Sequence, residues 1–190
     1  MKYKVILASA SPRRRELLSG LGIDFEVRVL PNIDESYPEG MTGVEIAQAI
    51  SRKKAQAYRG TLQEGELIIT ADTVVYFDGQ VLGKPTDEED AKRMLRKLSG
   101  RVHQVITGVT LLTQERENSF VSVSNVTFSP ITEEEIDYYV RHFHPLDKAG
   151  AYGIQEWIGF IGVERIEGSY FNVMGLPVQR LYQELKKIEN

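Results

Sequence analysis

The sequence predicts an α/β fold with a central mixed β-sheet flanked by helices. Three observations carry that reading. Apolar, β-branched runs such as Leu67–Phe77 and Val102–Leu112 alternate along the chain with segments that begin in helix caps. Asp78-Gly79 between two such runs is a hairpin signal, so antiparallel pairs sit beside crossover units. No internal repeat, low-complexity tract or linker-like shift interrupts the 190 residues, which are read as one domain over 1–190.

The elements follow in order. Lys4 to Ala8 reads as a short buried strand. Ser11-Pro12 opens a helix, with Ser as N-cap and Pro at the first position, and Gly20 or Gly22 ends it. Phe25 to Val29 alternates as a strand does, and Leu30 to Gly40 is a loop. Thr42 with Glu45 forms a capping box for a helix reaching about Tyr58. Thr86 with Glu89 is read as a second box, for a helix ending at Ser99-Gly100. Val102–Leu112 and Phe120–Phe128 are strands joined by a polar turn. Thr132 with Glu135 is a third box. Pro145 to Gly175 is Gly-rich and has no clear period. Pro177 starts a last helix whose apolar face is Val178, Leu181, Leu185 and Ile188.

Composition narrows the function. Hydrophobic residues are 42% and charged residues 26%, as in globular chains, which argues against disorder. The formal net charge of −4 argues against a nucleic-acid or membrane-surface binder, because both need positive fields. The absence of cysteine removes disulfides, thiol nucleophiles and Cys-ligated metals together. With three histidines only, any metal is expected to be a hard cation held by carboxylates and substrate oxygens. The apolar run Val5–Ala8 is too short for a signal peptide, and no stretch approaches the ~20 apolar residues of a membrane span. A soluble, cytoplasmic protein is expected.

Three places stand out chemically. In Ser9-Ala10-Ser11-Pro12-Arg13-Arg14-Arg15, a strand ends, small hydroxyl residues follow, and a helix begins with three arginines in its first turn. The helix macrodipole disfavours cations there, but a bound anion reverses the sign, so the pattern is either a phosphate site or a solvated basic turn. Asp72 interrupts the apolar run Leu67–Val75. A carboxylate there must be paired, protonated or metal-bound, so it is a general base, a metal ligand or half of a structural ion pair. Gly83-Lys84-Pro85 holds a lysine on a stiff loop, suited to a point-charge contact with phosphate or simply to a turn.

Arg52-Lys53-Lys54 lies near a helix end, where cations complement the dipole. Asp34-Glu35 is either a hard-cation pair or two solvated loop acids. Together these groups suit hydrolysis of a polyphosphate: cations hold the phosphates, a divalent metal neutralises charge, and a carboxylate activates water. No Gly-x-x-x-x-Gly-Lys-Ser/Thr loop occurs.

These segments resemble the Maf family of nucleotide pyrophosphatases. The resemblance runs through Leu7–Arg14, Ala71–Val75, Gly83–Pro85, Ser99-Gly100 to Thr107–Val109, Asp147–Gln155 and Gly168–Pro177, in order and over nearly the whole chain. It implies cleavage between the α and β phosphates of a nucleoside triphosphate, assisted by Mg²⁺ or Mn²⁺. It implies an elongated α/β structure with a cleft between two lobes, similar to the inosine triphosphatase-like fold and often a homodimer.

Carried over by position, Asp72 is the expected proton acceptor and, with Glu35, a metal ligand. Ser9, Arg13, Arg14, Lys54 and Lys84 are expected at the triphosphate. Arg13, Thr73 and Gln155 match positions tied to substrate choice. Asp147-Lys148-Ala149-Gly150 ending in Gln155 is similar to the branch acting on dTTP and UTP; the branch acting on 7-methyl-GTP usually has an acid at that last position. An amide both donates to and accepts from a pyrimidine edge. The resemblance also implies a link to inhibition of septum formation.

Overall fold

The computed structural model describes residues 2–189 and is an α/β structure. Its strands are β1 Lys4–Leu7, β2 Phe25–Val27, β3 Glu66–Phe77, β4 Gln80–Leu82, β5 Val102–Leu112, β6 Glu117–Phe128 and β7 Val163–Glu167. Its helices are α1 Pro12–Ser19, α2 Gly43–Ala57, α3 Glu88–Leu98, α4 Glu133–Phe143, α5 Trp157–Gly162, α6 Tyr170–Met174 and α7 Val178–Glu189. The strands form a seven-stranded sheet in the order β2-β1-β3-β5-β6-β7, with β4 paired to β3.

The sheet is mixed, as the hairpin signal requires. β1 runs parallel to both β2 and β3, with Val5 opposite Phe25 and Leu67. β3 turns back antiparallel through Asp78-Gly79 onto β4, and β6 pairs antiparallel with β7. Among the described residues, no helix is long and apolar enough to cross a membrane.

The chain divides into two compact units, with boundaries falling inside β3, β5 and β6. The first contains the chain up to Asp72, Thr107–Ser122 and the segment from Gly175 onward. Ile6, Ile68 and Leu112 pack there with Ala55, Tyr58 and Leu62. Tyr58 is buried but satisfied: its hydroxyl donates to the Arg28 carbonyl and accepts from the Leu30 amide, both at 2.9 Å. Helix α2 lies directly on Gly108, where an added Cβ would stand 2.2 Å from the Ala47 carbonyl oxygen. The apolar face predicted for α7 is the buried one: Val178, Leu181, Leu185 and Ile188.

The second unit comprises Thr73–Ile106 and Val123–Met174. Its core joins Leu95 and Leu98 of α3 to Ile136, Tyr139 and Val140 of α4, with Phe128, Tyr152 and Ile158. His103 is buried among them, edge-on to Phe128 and 2.6 Å from the Tyr152 hydroxyl.

Local capping follows the sequence with one correction. Thr42/Glu45 and Thr132/Glu135 are complete capping boxes. Helix α3 starts one residue later than the Thr86/Glu89 pattern predicts. Asp87 is its N-cap, accepting from the Asp90 amide at 2.8 Å, while the Asp90 carboxylate reaches back to the Thr86 amide. An aspartate carboxylate is at least as good a cap as a threonine hydroxyl, and it stands one position nearer the helix. The aperiodic stretch 145–175 holds 3₁₀ turns, the six-residue α5, β7 and the five-residue α6. Elements this short complete too few turns to print a helical period.

Candidate active site

In the first unit, the end of β1, the start of α1, the loop before α2, the last turn of α2 and the middle of β3 carry the site residues. Ser11 caps α1, accepting from the Arg14 amide at 3.4 Å, and Pro12 occupies the first position. Both choices leave the chain entering the helix in an extended conformation. Ser9 is buried, and its hydroxyl accepts from the Ser11 amide at 3.3 Å.

The three arginines separate. Arg15 is exposed, whereas Arg13 and Arg14 are half-buried. Arg14 donates through Nε to the Gly175 carbonyl at 2.9 Å and through Nη1 to the Ser9 hydroxyl at 3.5 Å. Burial pulls its pKa below the ordinary arginine value; Asp72 and Glu35 pull it up, and Arg13 pushes it down. An arginine stays charged through such shifts. These four charges therefore share one electrostatic neighbourhood.

Asp72 is the carboxylate that the apolar run made anomalous, and it is paired. Its Oδ1 accepts from Lys54 Nζ at 2.8 Å, with both side chains mostly buried. Lys54 also meets Glu35 Oε1 at 3.0 Å. Of the three consecutive cations on α2, Lys54 alone turns to this place. Arg52 pairs with Glu117, and Lys53 with Asp34 and the Ser36 carbonyl. Asp34 accepts from the Ser36 amide as well. Asp34 and Glu35 thus serve different lysines and do not act as a pair.

Glu35 and Asp72 put two hard oxygens on one ammonium, a donor set that fits a divalent cation. Among the described residues, no group of three or more His, Asp or Glu gathers, so further ligands would be water and phosphate oxygens.

In the second unit, Thr73 follows Asp72 on β3 and is half-buried. Lys84 is exposed on the loop after β4, between Gly83, whose carbonyl accepts from the Gly150 amide at 3.1 Å, and the buried Pro85. Gln155 is half-buried in a tight turn closed by the Glu156 amide on the Gly153 carbonyl at 3.0 Å. An open depression of about 540 Å³, lined by Tyr76, Arg101, Gln104 and Asn125 among others, contains none of the predicted residues.

Sequence reasoning missed the surroundings of Gln155. Lys148 is buried, with Nζ 2.8 Å from Asp147 and 3.1 Å from Glu156, and the Tyr139 hydroxyl donates to Glu156. Lys148 lies in the segment Asp147–Gln155, but Tyr139 reads as one more apolar position of a helix. The Gly175 carbonyl on Arg14 left no side-chain signal at all.

Residues 4–188 match the model of the Maf-like protein family. The dTTP/UTP pyrophosphatase of Phocaeicola vulgatus is 64% identical over 187 residues, covering 98% of this chain and 97% of that one. The protein of the same name from Bacteroides thetaiotaomicron is 61% identical with the same coverage. That of Flavobacterium johnsoniae is 46% identical over 97% of this chain and 94% of its own. Among solved structures, a nucleoside-triphosphatase / dITP/XTP pyrophosphatase from Mycobacterium abscessus overlays with a TM-score of 0.41 at 15% identity, covering 74% of this chain and 95% of that one. The family match spans every residue of those motifs, and the chain belongs to the Maf family.

Proposed function

We propose that this chain is a nucleoside triphosphate pyrophosphatase that hydrolyses dTTP and UTP to the monophosphate and pyrophosphate, with residues 1–190 acting as one catalytic domain. The observation that carries the reading is the mostly buried Asp72 carboxylate, held 2.8 Å from Lys54 in the same electrostatic neighbourhood as Arg13, Arg14 and Glu35. Relatives at 57–64% identity that bear the name dTTP/UTP pyrophosphatase support it.

In this mechanism Asp72 accepts a proton from the attacking water. The water oxygen bonds to the α-phosphorus, the bond from that phosphorus to the bridging α–β oxygen breaks, and pyrophosphate leaves with the electron pair. Lys54 fixes the orientation of the carboxylate. Ser9, Arg13, Arg14, Lys54 and Lys84 bind the triphosphate, and preorganised cations stabilise the charge that grows on the leaving oxygens. Glu35 and Asp72 would hold a Mg²⁺ or Mn²⁺ ion, which supplies neutralisation of phosphate charge. Arg13, Thr73 and Gln155 select the base, the Gln155 amide matching the mixed donor and acceptor edge of a pyrimidine. The reading assigns the protein to house-cleaning of cytoplasmic nucleotide pools.

Steady-state kinetics on a nucleotide panel test it. We expect kcat/KM for dTTP and UTP to exceed those for 7-methyl-GTP and ITP by about 100-fold or more. The reverse order would overturn the pyrimidine assignment.

A further inference from the structure

Gln155 sits on a turn whose two ends are tied to one hydroxyl. The turn runs from Gly153 to Glu156, closed by the Glu156 amide on the Gly153 carbonyl at 3.0 Å. Gln155 is its third residue. The Tyr139 hydroxyl accepts from the Gly153 amide at 3.0 Å and donates to Glu156 Oε2. One oxygen therefore bonds the first and the last residue of the turn. Burial, and the Glu156 carboxylate beside it, raise the Tyr139 pKa, so the hydroxyl remains a donor.

The surrounding contacts leave the turn little freedom. Glu156 Oε1 meets Lys148 Nζ at 3.1 Å, and Lys148 is itself buried and paired to Asp147. A Cβ on Gly153 would stand 2.9 Å from Glu156 Cδ and 3.1 Å from Lys148 Cε. A Cβ on Gly159 would stand 1.8 Å from the Ile154 carbonyl oxygen, so the start of α5 presses directly on the turn. Tyr139 is completely buried, and its ring stacks on Phe143 of the same helix, 5.1 Å between centroids. The hydroxyl is thus presented from a rigid helix instead of from a loop.

A side chain that discriminates by hydrogen bonds needs a fixed backbone beneath it, because misplacement by about 1 Å forfeits much of the gain. We propose that Tyr139 is a positioning residue for nucleotide choice: its hydroxyl clamps the Gly153–Glu156 turn and so orients Gln155. The proposal rests on the reading of Gln155 as a base-selecting residue.

The test compares Tyr139→Phe, Gln155→Ala and the double variant. Tyr139→Phe is expected to raise KM for dTTP and UTP about tenfold, with kcat within about twofold, and to cut discrimination against 7-methyl-GTP about tenfold. In the Gln155→Ala background it is expected to change discrimination no further. Glu156→Ala, at a partly exposed position, removes the other partner of the hydroxyl and is expected to reproduce the loss if Tyr139→Phe folds poorly.

Unchanged discrimination in both Tyr139→Phe and Glu156→Ala overturns the proposal, whatever happens to the melting temperature. If Gln155→Ala itself leaves discrimination intact, the base-selecting reading of Gln155 fails instead. Amide hydrogen exchange then decides the clamp alone: the Gly153 amide is expected to exchange at least about tenfold faster in Tyr139→Phe, with β5 unchanged. Equal exchange at Gly153 would overturn the clamp.

Discussion

Lys54 Nζ lies 2.8 Å from Asp72 Oδ1, joining the last turn of α2 to the middle of β3. The pair explains how a carboxylate persists in an otherwise apolar strand. It also makes each partner depend on the other, because removing one leaves a mostly buried charge uncompensated. Lys54→Met is therefore expected to lower kcat/KM for dTTP by about 10²–10³. If Lys54 only balanced charge, Lys54→Arg would restore activity; we expect it not to, since the guanidinium differs in shape and reach. Parallel kinetics on the two variants check this.

Glu35 meets the same ammonium from an exposed loop, so its loss costs little structure. Glu35→Gln keeps size and hydrogen bonding but removes a charged oxygen. The Mg²⁺ concentration giving half-maximal activity is expected to rise about tenfold or more, with an unchanged melting temperature in metal-free buffer. A metal titration of wild type and variant measures it.

Two buried groups, Glu66 and His103, contribute to the acid limb of stability. Hydrogen bonding to Arg28, opposed by burial and aided by the Gln63 amide and nearby cations, holds the Glu66 carboxyl down at about 2. A depressed carboxylate stabilises the fold above its unfolded value near 4.5, and that contribution disappears as pH falls through 2. Burial likewise pulls His103 down to about 4. The fold holds it neutral, so the unfolded chain takes up its proton first and stability declines from about pH 6.5 toward 4. Denaturant melts between pH 7 and 2 are expected to show both windows. His103→Gln should flatten the upper one and Glu66→Gln the lower.

Gly108 is where α2 rests on β5, and the helix that touches it carries Lys54. Gly108→Ala pushes a methyl group against the Ala47 backbone. We expect a loss of about 3 kcal/mol or more, read as a fall of roughly 10 °C in Tm for a chain of this size. Thermal unfolding checks it.

How much of this was legible depended on where each signal resided. The buried strands, two of three capping boxes and the face of α7 are written in side-chain periodicity and cap chemistry. Asp72 was conspicuous because a carboxylate among Leu67, Ile68, Ile69, Val74 and Val75 violates that periodicity. Its partner was not conspicuous, since Arg52, Lys53 and Lys54 look alike in sequence and only the helix geometry turns Lys54 toward β3. The one-residue shift at α3 arose from two adjacent residues competent to cap. The Gly175 carbonyl on Arg14 and the Tyr139 hydroxyl under Gln155 were invisible for another reason. One is a backbone group, and the other is the polar tip of a residue that otherwise packs as core.

In the proposed reaction, a water activated at Asp72 attacks the α-phosphorus. Hydrolysis of dTTP in ¹⁸O-labelled water, with products resolved by ³¹P NMR and mass spectrometry, tests it most directly. Expected are dTMP and pyrophosphate in equal amounts, the label in dTMP alone, and turnover reduced by about 10²–10⁴ in Asp72→Asn. Release of orthophosphate, label in the pyrophosphate, or near-normal turnover by Asp72→Asn would contradict it.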